Sequence, residues 1–256
     1  MWAVGSLGIT LHFDGDQWSI VDSLFSTHIN AIWGSADDNA WAVGSSGNIA
    51  HFDGQEWVDI ESPVTSNIHD IWGTGSDDVW ALSTSQVLYF DGDEWEEILS
   101  TIPGSPGDIW ASSPDDIWIV GHILDGGQTE TVHYDGDGWD TVATPLESGE
   151  TLRAIWGSAS DDIWAVGDQG AVIHYDGQEW SQYDLPADVD FESIWGIDSD
   201  DIWAVGSDGE IWRYDGETWI PVWSLSEEDL NSVWVDPATG KVFAVGQNGE
   251  AIYGAY

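Results

Sequence analysis

Neighbouring aspartates recur along the chain, and of all its residues they are the best placed to do chemistry. Two carboxylates held close together can bind Ca²⁺, a hard cation that takes about six to eight oxygen ligands. A carboxylate pair about 5 to 9.5 Å apart can instead hydrolyse a glycoside. Calcium is therefore the candidate cofactor, and its candidate ligands are Asp37, Asp38, Asp53, Asp77, Asp78, Asp91, Asp115, Asp116, Asp135, Asp161, Asp162, Asp176, Asp200, Asp201 and Asp215.

Histidine also recurs, in the pattern His-Phe/Tyr-Asp-Gly at His12, His51, His133 and His174. A catalytic histidine is not needed in four copies, so we expect a buried hydrogen bond that ties a strand to a turn. No EF-hand loop, histidine metal motif, Gly-x-Ser-x-Gly or phosphate-binding loop is present. We therefore assign no catalytic residue and expect a protein that is not an enzyme.

The composition excludes several classes of partner. The chain has 256 residues with 48 Asp+Glu against 3 Lys+Arg, which gives a formal net charge of -45. So few cations cannot neutralise a run of phosphates, which excludes nucleic acid and direct binding to anionic membranes. Without cysteine there is no disulfide, thiolate nucleophile or iron–sulfur cluster. The hydrophobic share of 42% and aromatic share of 13% indicate a folded protein rather than a disordered polyanion.

The sequence carries little information about localisation. No apolar run reaches the roughly 18 residues that span a bilayer, and the segment from Met1 to Gly5 lacks the basic and apolar regions of a signal peptide. Either the protein is cytosolic or its leader is missing from this sequence, and of the two we expect a secreted or cell-surface protein.

A repeat organises these residues into elements. Trp-Ala-Val-Gly or a close variant begins at seven positions with spacings of 39, 39, 38, 46, 39 and 40, namely Trp2, Trp41, Trp80, Trp118, Trp164, Trp203 and Phe243. In the second unit, residues 31–34 (a), 40–44 (b), 49–52 (c) and 56–60 (d) are short segments rich in β-branched and aromatic residues, separated by turn compositions. A four-stranded antiparallel repeat of about 40 residues predicts an all-β fold, a β-propeller forming one domain over residues 1–256.

Eighteen of the 20 tryptophans fall at three repeated positions, which predicts that they form the core between blades. The exceptions are Trp212 and Trp223, and we expect Trp223, at the end of an outer strand, to be exposed.

Counting segments favours seven blades, the first without its innermost strand a and the last without its outermost strand d. Both gaps map to one stretch upstream of Met1, so we expect the chain to begin inside the first blade. A six-blade ring is the alternative. Exposed strands at either gap could pair with another subunit.

The unit that runs through Ile155-Trp156-Gly157, residues 161–167 and residues 173–180 resembles bacterial propeller repeats of the BNR/Asp-box and photosystem II assembly factor type. The resemblance covers the whole chain and implies the fold, but it says little about function, because such repeats occur in hydrolases, lectin-like modules and assembly factors. The segment Arg213–Trp219 is one residue short of an Asp box. The arginine cluster of a sialidase and the basic patch of the assembly factor are both missing.

In such a repeat the a–b and c–d turns share one face, which would gather half of the 48 carboxylates there. Local hydrogen bonding within those turns is the alternative to calcium binding. The opposite face carries the variation, because the fourth b–c loop is five residues longer than its equivalents. The candidate ligand-binding residues there and on the outer strand are His122, Asp125, Gln128, Glu130, Phe25, His28 and Trp223.

Taken together, these features predict a non-enzymatic extracellular or surface module for binding or assembly that self-associates through incomplete terminal blades. Its partner would be a protein, a glycan or a second copy. The alternative is a carbohydrate-binding or glycoside-cleaving propeller that uses acids on the variable-loop face.

Overall fold

The computed structural model describes residues 1–21, 25–125, 128–147, 149–185 and 189–254. The chain is a seven-blade β-propeller with four-stranded antiparallel blades, except that the first and last blades have three strands. No α-helix occurs among the described residues. The seven-blade prediction is confirmed and the six-blade alternative is wrong.

Contacts divide the chain into residues 1–114 and 115–256, and the prediction of a single domain stays a prediction. The first unit contains three sheets with strand orders β1-β2-β3, β4-β5-β6-β7 and β8-β9-β10-β11, together with β12, which is strand a of the fourth repeat. Its strands are β1 (Trp2–Val4), β2 (Thr10–Phe13), β3 (Trp18–Val21), β4 (Ile29–Ala36), β5 (Asn39–Gly44), β6 (Ile49–Phe52), β7 (Trp57–Ile60), β8 (Ile68–Gly75), β9 (Asp78–Ser83), β10 (Val87–Phe90), β11 (Trp95–Leu99) and β12 (Ser105–Ser113).

The second unit contains the remaining strands of the fourth blade and the fifth, sixth and seventh blades. A short strand, β14, pairs with β15 and belongs to the long fourth b–c loop. The strands are β13 (Asp116–His122), β14 (Leu124–Asp125), β15 (Gln128–Tyr134), β16 (Trp139–Ala143), β17 (Leu152–Ala159), β18 (Asp162–Gly167), β19 (Val172–Tyr175), β20 (Trp180–Gln182), β21 (Phe191–Asp198), β22 (Asp201–Gly206), β23 (Ile211–Tyr214), β24 (Trp219–Val222), β25 (Leu230–Val235), β26 (Val242–Gly246) and β27 (Ala251–Gly254).

Strand b of each complete blade is buried on both faces, which explains its continuous apolar run. In the fifth blade, Trp164 pairs with Trp156 on strand a and with His174 on strand c. Its ring lies over the His174 ring with centroids 4.3 Å apart. The same stacking recurs at 4.2 Å between Trp41 and His51. Each strand-b aromatic is therefore covered within its own blade by the residue facing it on strand c.

The same tryptophans also join neighbouring blades. In the first unit, the Trp41 ring lies 4.7 Å from Phe90 and 5.4 Å from Trp95 of the next blade. In the second unit, Trp164 lies 4.6 Å from Tyr214 and 5.6 Å from Trp219. The prediction that the repeated tryptophans form the core between blades is confirmed at Trp41 and Trp164, whereas Trp18 on the outer strand of the first blade is 40% exposed.

Strand-a tryptophans pack against a small residue on strand a of the following blade. A Cβ built on Gly73 would stand 2.6 Å from the Trp33 ring, and one built on Gly196 would stand 2.6 Å from the Trp156 ring. The repeated Trp-Gly pair therefore lets the innermost strands of adjacent blades approach closely.

Candidate functional site

Each c–d turn contains an aspartate whose carboxylate is occupied by its own backbone. Asp176 Oδ1 accepts the N–H groups of Gln178 and Glu179 at 2.9 and 3.0 Å. These two hydrogen bonds hold the pKa of the Asp176 carboxyl below its usual value. The same arrangement, with the same direction of pKa shift, recurs at Asp14, Asp53, Asp91, Asp135 and Asp215.

A second aspartate, at the start of strand b, connects three elements of its blade. Asp162 Oδ1 accepts the indole N–H of Trp164 at 3.2 Å and lies 2.7 Å from His174 Nε2 on strand c, while its other oxygen accepts the Ser158 hydroxyl. We call this arrangement the carboxylate bridge. The strand-b indole is held in the same way by Asp78, Asp116 and Asp201.

The carboxylate bridge also explains the recurring histidines. Burial alone would raise the pKa of Asp162, but the hydrogen bonds from His174 and Ser158 outweigh it and lower that pKa. His133 lies 2.7 Å from Asp116 in the same way, and in the sixth blade Arg213 Nε donates to Asp201 at 2.7 Å. The prediction that these histidines tie strand c to a turn is confirmed at His133 and His174.

The second blade departs from this pattern because Asn39 stands where the third to sixth blades have aspartate. Asn39 Oδ1 lies 3.3 Å from His51 Nε2, and the buried Trp41 indole N–H has no hydrogen-bond partner among the described residues. An unpaired buried donor costs about 1–3 kcal/mol.

Replacing Asn39 by aspartate is expected to raise the free energy of unfolding by about 1 kcal/mol, because the carboxylate would accept from both Trp41 and His51. Thermal unfolding would report this as a rise of about 2–4 °C in a chain of this size. The variant Gln55→Glu adds the same charge at an exposed turn position and should give no rise. An equal effect of both variants would contradict the bridge.

The first aspartate of each pair packs against the c–d turn of its own blade. A Cβ on Gly177 would stand 2.8 Å from Asp161 Cβ, and one on Gly54 would stand 2.8 Å from Asp38 Cβ. The a–b and c–d turns therefore share one end of the blade, as predicted. The pair Asp37–Asp38 is displaced by one position along the repeat. Asp38 is the equivalent of Asp161, so Asp37 corresponds to the residue before the aspartate pair of the other blades.

No group of three or more histidine, aspartate or glutamate side chains within the described ranges is arranged to hold a metal ion. Many of the fifteen predicted calcium ligands instead accept hydrogen bonds from their own turn or from a bridged side chain. Calcium binding stays a prediction of the sequence.

On the variable-loop face, the b–c turns are fastened to the residue that precedes the next blade's strand a. The Gln169 N–H donates to Asp190 at 2.8 Å, and the Asp208 N–H donates to Asp229 at 3.0 Å. His28 holds the corresponding place, with its Nδ1 3.4 Å from the Leu7 nitrogen. The predicted residue His28 thus contributes to joining two blades.

The long fourth b–c loop brings some of its predicted residues into packed positions. His122 Nδ1 lies 3.2 Å from the Thr151 hydroxyl of the fifth blade. Gln128 is exposed, whereas Glu130 is half-buried with one carboxylate oxygen enclosed and unpaired. Asp125 lies in β14, and its side chain is outside the described set.

The other two predicted residues have opposite environments. Phe25 is 8% exposed and packs with Ile29, Ala42 and Ala50, so it belongs to the core rather than to a binding surface. Trp223 is 82% exposed, as predicted, whereas Trp212 is buried.

Sequence reasoning missed a carboxyl pair on the innermost strands. Asp70 on β8 and Asp108 on β12 both accept the N–H of Ile109, at 3.1 and 2.9 Å, so the two carboxyl groups converge on one donor. Burial raises the pKa of Asp70, against the effects of Asp108, the neighbouring N–H groups and His69. No sequence pattern marks these two residues as a pair, because they meet only when two strand-a segments lie side by side in the folded chain.

Because the pKa of Asp70 is raised in the folded state, the stabilising contribution of this carboxyl is complete below its unfolded-state pKa of about 3.9. That contribution is lost as the pH rises through the folded-state pKa. Asp70→Asn keeps the acceptor for Ile109 and removes the charge. We therefore expect it to raise the melting temperature at pH 7, by an increment that vanishes near about pH 4. Asp59→Asn is the control, because it removes the same charge from an exposed position. If the melting temperatures of the two variants depend on pH in the same way, the pKa of Asp70 is not raised by burial.

These features define the class: a β-propeller whose repeated polar side chains build the blades. No protein-family model and no curated protein sequence matches the chain. The described part contains no helix long and apolar enough to cross a bilayer.

Solved structures share the fold at low sequence identity. A structure described as YCF48 bound to D1 peptide superposes with a TM-score of 0.77 at 16% identity, over 100% of this chain and 87% of that one. YCF48 from Cyanidioschyzon merolae gives 0.77 at 16% identity, over 98% and 90%. The WD40 propeller domain of Doa1 gives 0.78 at 12% identity, over 100% and 88%. These similarities support the propeller fold.

Proposed function

We propose that this chain is a non-enzymatic scaffold that binds a protein partner. One observation carries the proposal: a propeller with the same fold over the whole of this chain has been solved with a bound peptide. The internal hydrogen bonding of the repeated Asp, Trp and His residues supports it, because these groups are already used in holding the blades together.

The test is a complex reconstituted from two purified proteins. Chemical crosslinking in an extract of the source cells would supply a candidate partner, which is then expressed and titrated against this chain by calorimetry. The proposal predicts a saturable complex. Failure of every crosslinked candidate to bind in purified form would contradict it.

The alternative, a carbohydrate-binding or glycoside-cleaving propeller, predicts binding on a glycan array or turnover of chromogenic glycosides. Either result in the absence of a binding protein partner would favour the alternative. An extracellular or cell-surface setting belongs to the same proposal and would be tested by fractionating the source cells with an antibody to the chain.

Self-association is a second candidate, favoured by the three-stranded sheets β1-β2-β3 and β25-β26-β27. Strand β27 has no partner on its outer side within the described ranges, and its Tyr253 is 74% exposed. An unpaired edge can accept a strand from another chain. Sedimentation would report concentration-dependent association, which Ala251→Pro at this edge should weaken.

A further inference from the structure

Two large apolar side chains are exposed on the segment that leads from the outer strand of the sixth blade to the seventh blade. Trp223 is 82% exposed and Leu225 is 87% exposed. Scattered single apolar residues are normal on protein surfaces, but a large aromatic beside a leucine on one short segment is not. We name Trp223 and Leu225 the apolar patch.

The segment that carries the apolar patch is held in place by hydrogen bonds. Ser226 N–H donates to the Ser224 hydroxyl at 3.0 Å, and Glu228 N–H donates to the Ser226 hydroxyl at 3.1 Å. A Cβ on Gly209 would stand 2.2 Å from the Ser226 carbonyl oxygen, so the b–c turn of the sixth blade lies directly against the segment. The two exposed side chains are therefore presented at low entropic cost to a partner.

The far end of the segment is fastened to the seventh blade. Asp229 accepts the Asp208 N–H at 3.0 Å and the Gln247 amide at 2.8 Å, and Glu228 accepts the Asn248 amide at 2.7 Å. Polar side chains of the protein thus hold Glu228 and Asp229, while Glu227 beside them is exposed.

The net charge of the chain indicates which kind of partner segment would bind at the apolar patch. Of the three basic side chains, Arg153 pairs with Asp168 and Glu192, and Arg213 pairs with Asp201. The third, Lys241, belongs to the a–b turn of the seventh blade, where its carbonyl oxygen accepts the Asp236 N–H at 2.9 Å. With 3 Lys+Arg against 48 Asp+Glu, cations that neutralise the carboxylates around the apolar patch must come from outside. A lysine or arginine over the face of an exposed tryptophan is also attracted by its ring.

We propose that the apolar patch docks a cationic segment of a partner protein, with apolar side chains of the partner on Trp223 and Leu225 and a lysine or arginine beside Glu227 and Glu228. This rests on the proposed scaffold function and specifies its partner. The partner would be bound through side-chain contacts rather than by adding a strand to the sheet. Pro221 removes a backbone N–H from the outer edge of β24, which disfavours strand addition there.

The probe is a short synthetic peptide that alternates leucine and arginine, titrated at physiological salt, with matched peptides in which glutamate replaces arginine or serine replaces leucine. The protein carries 5-fluorotryptophan, and the Trp223 fluorine resonance is assigned by its loss in Trp223→Phe. We expect that resonance to shift with the leucine–arginine peptide and with neither matched peptide.

Calorimetry on variants distinguishes this patch from general attraction to a polyanion. We expect Trp223→Ser/Leu225→Ser to weaken the peptide at least ~10-fold, whereas Val58→Ser/Ile98→Ser, which removes exposed apolar side chains elsewhere, leaves it unchanged. Glu227→Gln/Glu228→Gln should weaken it more than Glu56→Gln/Glu96→Gln, which changes the net charge equally at exposed sites. Such surface changes cost little stability, and thermal unfolding of each variant checks this.

No binding, or equal loss in the patch and control variants, would overturn the proposal. So would a peptide that binds without moving the Trp223 resonance. Either failure leaves the scaffold function standing, because a purified partner could still bind another surface. If the reconstituted partner does not bind at all, the scaffold function itself fails.

Discussion

Gly167→Ala is expected to lower the free energy of unfolding by about 3 kcal/mol, the upper end of the usual cost of overpacking. The new Cβ would stand 1.9 Å from the Thr151 carbonyl oxygen and 2.8 Å from Leu152 Cα. Both are backbone atoms of the same blade, and the Thr151 oxygen also accepts the Asp168 N–H at 2.9 Å. Relief of the clash must therefore separate strand a from strand b where they begin to pair.

Gly138→Ala is the matched control, because nothing lies within 4 Å of its added Cβ. Chemical denaturation should leave this variant close to the wild type and shift the midpoint of Gly167→Ala strongly. The close approach recurs at Gly44, Gly206 and Gly246, where the distances to a carbonyl oxygen are 2.2, 2.1 and 2.1 Å. A Gly167→Ala protein that unfolds like the wild type would mean that the blade does not close in this way.

Asp162→Ala is expected to destabilise the protein by about 2–4 kcal/mol. The change removes the acceptor for the indole N–H of Trp164, which is 1% exposed, and for the Ser158 hydroxyl, and it removes the partner of His174. Buried donors left without an acceptor carry their full desolvation penalty. Melting temperatures should fall by about 4–16 °C at neutral pH.

Asp161→Ala is the control for Asp162→Ala, since it removes the same charge from the adjacent residue and keeps the Cβ that meets Gly177. The pH profile gives a second check. Because the pKa of Asp162 is lowered in the folded state, its contribution is present above the unfolded pKa of about 3.9 and is lost as pH falls through the folded value. The gap between wild type and Asp162→Ala should therefore narrow in acid, and a gap that widens there would contradict the carboxylate bridge.

The fold was predictable because the repeat specifies it seven times. Local pattern and blade geometry agree at each unit: short strands, Asp-Gly turns, and tryptophans in fixed register. Trp41 and Trp164 lie in the core between blades as expected, and Trp223, which breaks the register, is exposed. Periodicity is not a complete guide, because Trp212 also breaks the register and is buried, while Trp18 occupies a repeated position and is 40% exposed.

The candidate site was less predictable because a list of acids does not show which acids already have partners. Neighbouring aspartates in the sequence have separate roles: Asp161 packs against Gly177, while Asp162 bridges to His174. The pairing of Asp70 with Asp108 arises only when two strand-a segments lie side by side. Phe25 was assigned to a loop surface, but the turn into the second blade folds its ring into the core.

We propose that the repeated Asp, Trp and His residues hold the blades together while partner binding resides in exposed, non-repeated residues. The affinity of Asp162→Asn for the partner recovered by crosslinking, measured well below the melting temperature of that variant, tests this division of roles. We predict a lower melting temperature with an unchanged dissociation constant. Loss of binding by a fully folded Asp162→Asn protein would show that the repeated carboxylates form the binding site and would contradict the claim.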